Sequence, residues 1–204
     1  NIINNNFQNL RILNNNKNSS FDKKLLIKNI EHNKIILLNG NFIDSNFSFE
    51  EEKKIKIKSL KSLLQNKEDF EKIKEYFSDE QNSMISLNHA LTEDGIVLEI
   101  ADNYKFNKPL VVYNFFDKNA ENKIVNNKVF ISLGCGSNLT LVDFYRSENN
   151  IKYFNNAIHN YTIKKDAILR KFNINDILDS SYNYNSVKVK GYSNSIFENF
   201  LLSL

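Results

Sequence analysis

The amino-acid sequence predicts a mainly β protein, a right-handed β-helix (stacked β-solenoid) preceded by a small α+β amino-terminal region. From residue 96 onward, runs with helical spacing give way to short apolar or alternating runs separated by Asn, Asp, Gly and Ser. Within residues 156–174, aromatic and β-branched residues occupy one parity, and Asn, Lys and Asp the other. A solenoid wall needs such alternation, because one face lines the interior and the other meets solvent. A β-sandwich would show it too, but the short connections between strands favour the solenoid.

These runs divide the chain into three segments. We expect a polar extension over residues 1–33, a hairpin and helical region over 34–94, and the first part of the β-helix core over 95–204. The predicted strands lie near Ile96–Ile100, Leu110–Phe115, Lys128–Leu133, Leu139–Phe144, Asn156–Ile163, Ala167–Ile174, Tyr182–Val189 and Ile196–Leu202.

The extension is Asn-rich, with short apolar groups at residues 10–13 and 25–27. Such groups could form a helix packed on another part of the chain. The chain starts at Asn1 rather than Met and stops within an apolar run at Leu204. We therefore expect a fragment truncated at both ends, whose uncapped last strand promotes aggregation.

Residues 34–43 predict a β-hairpin. Two apolar runs flank Asn39-Gly40, and Asn-Gly is the strongest short hairpin signal because both residues tolerate positive φ. Across residues 50–58, charges alternate with Ile55 and Ile57, which is typical of an edge strand protected by lysines. A phosphate-binding stripe is the alternative for these lysines.

Two helices are expected between the hairpin and the first strand of the core. Ser59 is a suitable cap for the first, whose apolar residues recur at helical spacing from Leu60 to Phe77. The second is expected to start at Asp79 and to end at Gly95, a residue that favours helix termination. Both helices present packing faces.

Composition bounds the function. The 204 residues are 41% hydrophobic, and 27 basic against 24 acidic residues leave a net charge of +3. This excess is too small to indicate a nucleic-acid or membrane-surface partner. A single cysteine, Cys135, excludes an internal disulfide framework and favours a reducing compartment, so we expect a cytoplasmic protein. The sequence contains no run suited to a membrane span or a signal peptide.

Cys135 lies in a Gly134-Cys-Gly136 segment between two predicted strands. An accessible thiolate could ligate iron or act as a nucleophile, but without a neighbouring Cys or His a structural role is favoured. The paired glycines do not open a helix, which a phosphate-binding loop would require, so they predict a turn.

No metal, cofactor or catalytic site can be assembled from the remaining polar residues. His32, His89 and His159 are isolated in sequence, without the spacing that places two ligands on one face. The carboxylate pairs Glu93-Asp94 and Asp176 with Asp179 fall in turn contexts, and their sequence spacing cannot show whether an acid/base pair forms. We therefore predict no catalytic, cofactor-binding or metal residues in this chain.

Several segments, in order, carry a family resemblance. They are Ile36–Phe42 with its Asn-Gly turn, Asn82–Ile96 with Leu-Asn-x-Ala-Leu before an acidic-Asp-Gly turn, Val97–Ile100, Phe106–Val112 with the only proline of the chain, Asn138–Phe144 and Tyr153–Ala157. Together they resemble the SufB/SufD family of the SUF iron–sulfur cluster assembly system, and the hairpin and the Leu-Asn-x-Ala-Leu helix are closer to its SufD branch. The resemblance extends over roughly residues 34–204.

The resemblance implies a non-catalytic scaffold that acts with SufB and the ATPase SufC to build iron–sulfur clusters and transfer them to acceptor proteins. The cluster would be held only transiently, at the complex. Family residues at the SufB and SufC interfaces lie beyond Leu204, and Cys135 matches no family cysteine. The alternative is a β-helical carbohydrate-active enzyme or binding module, for which we would expect an export signal and clustered carboxylates.

Overall fold

Parallel strands stack in register through the carboxyl-terminal part of the chain. The computed structural model describes residues 11–12, 25–77, 81–148, 151–176 and 181–203. The protein is mainly β, with 51% strand and 19% helix, and forms a β-solenoid of about three turns in its described part, after a small α+β region. The predicted fold class is confirmed.

Each turn of the solenoid contributes one strand to each of two sheets. The strands are β5 (Ile96–Ile100), β6 (Leu110–Phe116), β7 (Lys123–Leu133), β8 (Asn138–Ser147), β9 (Phe154–Ile163), β10 (Ile168–Asp176), β11 (Tyr182–Gly191) and β12 (Ile196–Ser203). Strands β5, β7, β9 and β11 are neighbours in the first sheet, and β6, β8, β10 and β12 in the second. All eight predicted strands are confirmed, several of them longer than expected.

The amino-terminal strands extend both sheets. They are β1 (Arg11–Ile12), β2 (Asn33–Leu38), β3 (Asn41–Asn46) and β4 (Ile55–Ser59). Strand β2 pairs in parallel with β6, and β4 pairs antiparallel with β5 and lies at the edge of its sheet in the described residues. Ile55 is buried while Lys56 and Lys58 are exposed, which confirms the predicted edge strand. The hairpin region and the solenoid therefore share one core.

The predicted hairpin is also confirmed. Asn39 and Gly40 connect β2 to β3 with φ values of 49° and 81°, and Leu38 pairs with Asn41. A side chain at position 40 would place its Cβ 2.8 Å from the Asn126 carbonyl oxygen, so the turn also needs glycine for close packing on β7.

The single helix predicted from Leu60 to Phe77 is wrong, because the chain breaks it. Helix α1 (Leu60–Leu64) is followed by α2 (Lys67–Ile73) and a short 3₁₀ helix (Lys74–Phe77). Asn66 separates them by accepting hydrogen bonds from the backbone N–H groups of Glu68 and Asp69. The predicted cap at Ser59 is confirmed, since its side chain accepts from the Ser62 N–H.

The next helix, α3 (Ser83–Leu91), is shorter than predicted. Its cap is Asn82, while Asp79 lies outside the described residues. Gly95 does not end it; the helix stops at Leu91, and a Cβ at Gly95 would lie 2.2 Å from the Lys128 carbonyl oxygen. Gly95 lets the backbone just before β5 approach the backbone of β7 closely. None of the helices in the described ranges has the length and apolarity to cross a bilayer.

Part of the amino-terminal extension packs on the second sheet. Leu25, Leu26 and Ile27 contact an apolar cluster on its outer face, and the Ile27 N–H donates to the Tyr113 hydroxyl at 3.1 Å. The predicted packing of this group is confirmed, but the predicted helix is wrong for Leu26 and Ile27, which lie outside any helix. Residues 10 and 13 of the other group lie outside the described residues, whereas residues 11–12 form β1.

The solenoid interior has an apolar half and a polar half. The apolar half includes Leu98, Leu133, Leu139, Ile163 and Leu169. In the polar half, the prediction for β10 is wrong, because its polar residues face the interior and its apolar residues face outward. Lys171 and Asn173 are buried there, whereas Phe172 stacks on Phe200 and Ile174 packs on the outer cluster of the second sheet.

Candidate functional site

Six polar side chains meet in the polar half of the solenoid interior, and we call them the polar cluster. Four successive strands supply them, because inward residues recur with period two and the parallel register stacks them. The members are Asp143 and Tyr145 on β8, His159 and Tyr161 on β9, Lys171 on β10 and Asn185 on β11.

A buried ion pair lies at one end of the polar cluster. The Lys171 Nζ is 2.9 Å from Asp143 Oδ2, with side-chain exposures of 1% and 0%. His159 Nδ1 lies 3.5 Å from the same oxygen. The other oxygen, Asp143 Oδ1, is buried and has no hydrogen-bond partner among the described residues. A buried charge of this kind depends on its partner, since its water has been removed.

A hydrogen-bond chain connects the rest of the cluster. The Asn185 amide donates to the Tyr145 oxygen at 3.3 Å, which leaves the Tyr145 hydroxyl free to donate to His159 Nε2 at 2.9 Å. The other ring nitrogen, Nδ1, then donates to the Tyr161 hydroxyl at 3.0 Å. Tyr161 in turn points its O–H at Asp143 Oδ2 at 3.5 Å. This assignment uses both nitrogens of one neutral imidazole.

Burial controls the protonation of this cluster. Loss of hydration lowers the pKa of His159 to about 4, with Asp143 opposing the shift and Lys171 adding to it. The same loss of hydration, reinforced by the Asp143 charge, raises the pKa of Tyr145 and Tyr161 well above the ordinary value. At neutral pH, His159 is therefore uncharged and both tyrosines keep their protons.

The chemistry open to the polar cluster is proton exchange along its own hydrogen bonds. His159 and Asp143 are fully buried, so neither touches solvent or a molecule dissolved in it in this conformation. We conclude that the cluster acts on the stability and pH response of the solenoid.

The structure places Cys135 in the turn between β7 and β8. It is half-buried and free, and its backbone N–H donates to Asp102 Oδ1 at 2.8 Å. A Cβ at Gly134 would lie 2.5 Å from the Asp102 nitrogen, and Gly136 has a φ of 64°, so the turn requires both glycines. The predicted turn is confirmed.

The three histidines are not brought together. The Tyr113 hydroxyl lies 2.8 Å from His32 Nε2, and His159 is in the polar cluster. On α3, His89 Nδ1 is 2.7 Å from the Nζ of Lys128, which lies on the outer face of β7 and is fully buried. Burial lowers the pKa of Lys128 to about 7. Within the described residues, no three His, Cys, Asp or Glu side chains are grouped so that they could hold a metal ion.

The candidate carboxylates have structural partners. Asp94 Oδ1 accepts from the Ser59 hydroxyl at 2.8 Å and from the Lys61 N–H at 3.0 Å, and Oδ2 accepts from the Phe42 N–H at 3.1 Å. Asp94 thus ties the hairpin to the start of α1. Asp176 pairs with Arg146 across β8 and β10, while Asp179 lies outside the described residues.

Sequence reasoning missed Asp143, Lys171 and Lys128. A signal for the first two exists, because Asp143 shares its parity with Leu139 and Leu141, and Lys171 shares that of Leu169. A charged residue on the apolar parity of a strand indicates a buried charge. No comparable signal marks Lys128, which is buried by helices that pack on the sheet.

The fold and its site define a β-solenoid protein with an α+β amino-terminal region. Residues 4–112 match the family described as SufBD protein N-terminal region, and this match spans more than half of the chain. The chain belongs to the SufB/SufD family, whose members function in SUF iron–sulfur cluster assembly. No curated protein matches the sequence significantly. Membership in this family favours the assembly role over the carbohydrate-active alternative.

Proposed function

We propose that this chain is a SufD-type, non-enzymatic scaffold subunit of the SUF complex that acts with SufB and the ATPase SufC in the cytoplasm. The family match over residues 4–112 carries the proposal. In this role the iron–sulfur cluster is cargo that the complex builds and passes on, and SufC supplies the ATP hydrolysis. The chain itself contributes a rigid solenoid on which partners assemble.

The choice of SufD rests on the hairpin and on the Leu-Asn-x-Ala-Leu segment, residues 87–91. Asn88 is fully buried in that segment. Its amide donates to the carbonyl oxygens of Asn127, at 3.2 Å, and of Asn156, at 2.7 Å. The side chain thereby connects α3 to β7 and β9. The Asn of this motif, Asn88, is needed for the packing of α3, because an aliphatic side chain could not donate to these two carbonyl oxygens.

Partner capture with the full-length protein tests the scaffold role. We expect tagged full-length protein to retain SufB and SufC of the same organism together at about 1 μM, an affinity ordinary for a stable assembly. An unrelated tagged β-solenoid protein is the control for adhesion to the resin. Retention of neither partner would contradict the scaffold role.

Genetic complementation separates SufD from SufB. We expect the full-length gene to restore iron–sulfur enzyme activity in cells lacking SufD and not in cells lacking SufB. The Cys135→Ser variant should restore it equally well, because that thiol lies in a turn without a ligand partner. Rescue of the strain lacking SufB would overturn the SufD assignment while leaving the family unchanged.

A further inference from the structure

A groove runs between the helices and the outer face of the first sheet, and we call it the helix–sheet groove. Its walls are the 3₁₀ helix at Lys74–Phe77 and helix α3, and strands β9 and β11 form its floor. It encloses about 230 Å³. That volume lies just below the roughly 300–1,000 Å³ of small-molecule sites, which suits a small molecule rather than a folded partner.

The floor of the groove offers unused hydrogen-bonding groups. Asn160 is only 7% exposed, and its amide lines the groove without a hydrogen-bond partner among the described residues. Thr162 and Ser186 line the same floor, and their hydroxyls also have no partner within the described ranges. Thr162 and Ser186 are half-buried, whereas Asn160 is buried. A buried polar side chain is normally satisfied, so the unpaired amide of Asn160 indicates a ligand or ordered water.

The charge around the groove is positive. Lys188 and Lys190 project from alternate positions of β11, roughly 7 Å apart along the strand. Lys128, whose pKa burial lowers to about 7, contacts His89 and does not line the groove, so the positive charge comes from Lys188 and Lys190. Glu75 is the only acidic residue among the described residues that line the groove. An anion would therefore meet more positive than negative charge.

The helical wall of the groove contributes an aromatic surface. Tyr76 stacks on Phe130 with ring centres 4.6 Å apart and planes 18° from parallel, so its orientation is held by packing. Ile85 on α3 adds to this wall, and Ile158 on β9 adds an apolar side chain to the floor. The groove thus joins an apolar surface to the buried Asn160 amide, two half-buried hydroxyls and two lysines, which are the groups that hold an amphiphilic anion.

We propose that the helix–sheet groove binds a small organic anion, namely a carboxylate or phosphate carried on an aromatic or other flat apolar body. The head group contacts Asn160 and the ammonium groups of Lys188 and Lys190. The body lies against Tyr76 and Ile85. The polar cluster lies between the two sheets, on the inner side of this one, and Tyr161 is the residue that the cluster and the groove share.

Calorimetric titration of the full-length protein with phenyl phosphate tests the site. Inorganic phosphate and benzyl alcohol are matched probes that carry only the head group or only the body. We expect phenyl phosphate to bind with a Kd below about 1 mM, at least about tenfold tighter than either half-probe. Equal binding of phenyl phosphate and inorganic phosphate, or no binding of phenyl phosphate, would overturn the proposal.

Two variants locate the binding. The double variant Lys188→Gln/Lys190→Gln should weaken phenyl phosphate at least about tenfold. The matched control, Lys164→Gln/Lys165→Gln, removes the same charge from the exposed turn between β9 and β10 and should bind as the parent does. Asn160→Leu should also weaken binding while keeping the melting temperature, since it removes an unpaired amide.

Two outcomes would contradict the proposal. Equal losses in both lysine variants would indicate general charge attraction. Binding of an acidic peptide alone would assign the groove to a protein partner.

Discussion

The two halves of the solenoid interior belong to the same strands and the same ladder of backbone hydrogen bonds, yet their contents are opposite. At one end of the strands, Leu133, Leu139 and Leu169 pack in a dry aliphatic core. At the other end, Lys171 and Asp143 form a buried ion pair beside His159. The difference teaches that the ladder determines the solenoid shape, while the inward side chains determine how stable each part is and how it responds to pH.

The polar half contains buried atoms that the protein leaves without partners. Among the described residues, buried oxygens without a hydrogen-bond partner include those of Asn127, Asp143, Asn155, Asn173, Asn175 and Asn185. An unsatisfied buried group costs about 1–3 kcal/mol, unless an ordered water satisfies it. Near the apolar half, the described residues contain one such atom, Asn33 Oδ1, at the start of β2. We therefore expect the polar half to set the limit on stability.

The largest effect is expected from breaking the ion pair. Lys171→Met keeps most of the side-chain volume but leaves Asp143 as an uncompensated buried charge, so the free energy of unfolding should fall by about 3–5 kcal/mol. Urea denaturation at pH 7 measures it. A loss below ~1 kcal/mol would mean that solvent reaches Asp143 and that the polar half is wet.

A smaller effect is expected from pH. The pKa of His159 is about 4 in the folded protein and ordinarily 6.5, so the unfolded chain binds more protons between these values. The stability that depends on the neutral ring is complete above pH 6.5 and is lost as the pH falls toward 4, up to about 3 kcal/mol. His159→Gln should flatten this part of the stability–pH curve, measured by urea denaturation from pH 4 to 7.

The apolar half supplies the control for this titration. Leu139→Ala creates a cavity and should lower stability by about 2–5 kcal/mol at every pH without changing the slope. If His159→Gln keeps the parental slope between pH 4 and 6.5, the histidine is protonated in the folded state and the pKa assignment is wrong.

The smallest net effect is expected from making the polar half resemble the apolar half. In Asp143→Leu/Lys171→Met both charges are absent, and replacing a buried pair by aliphatic groups is often neutral or stabilising by about 1–4 kcal/mol. We expect thermal unfolding near or above that of the parent, in contrast to the single Lys171→Met variant. A double variant as unstable as the single one would show that the hydrogen bonds of Tyr161 and His159, rather than the charges, hold this half together.

Prediction from sequence succeeded where a signal is local. The Asn39-Gly40 turn and the Ser59 cap depend on a few adjacent residues, and both were predicted correctly. It failed at Asn66, where helical spacing continues across a residue whose side chain caps a new helix. The predicted one-sided parity of residues 156–174 failed for a similar reason, because Phe172 finds its apolar partner on β12 rather than inside the solenoid.

The sequence by itself determined the class of the protein. It predicted a mainly β chain of closely spaced short strands with a hairpin and helices before them, and it carries the ordered motifs of the SufB/SufD family. Only the tertiary structure decided that Asp143, His159 and Lys171 share a buried cluster and that Lys128 lies against His89. These residues are far apart in the chain. The parallel register places Lys171 beside Leu141, two positions from Asp143, and His159 reaches both from the facing sheet across the interior. Local spacing carries no information about such pairing, since it depends on how successive turns of the solenoid align.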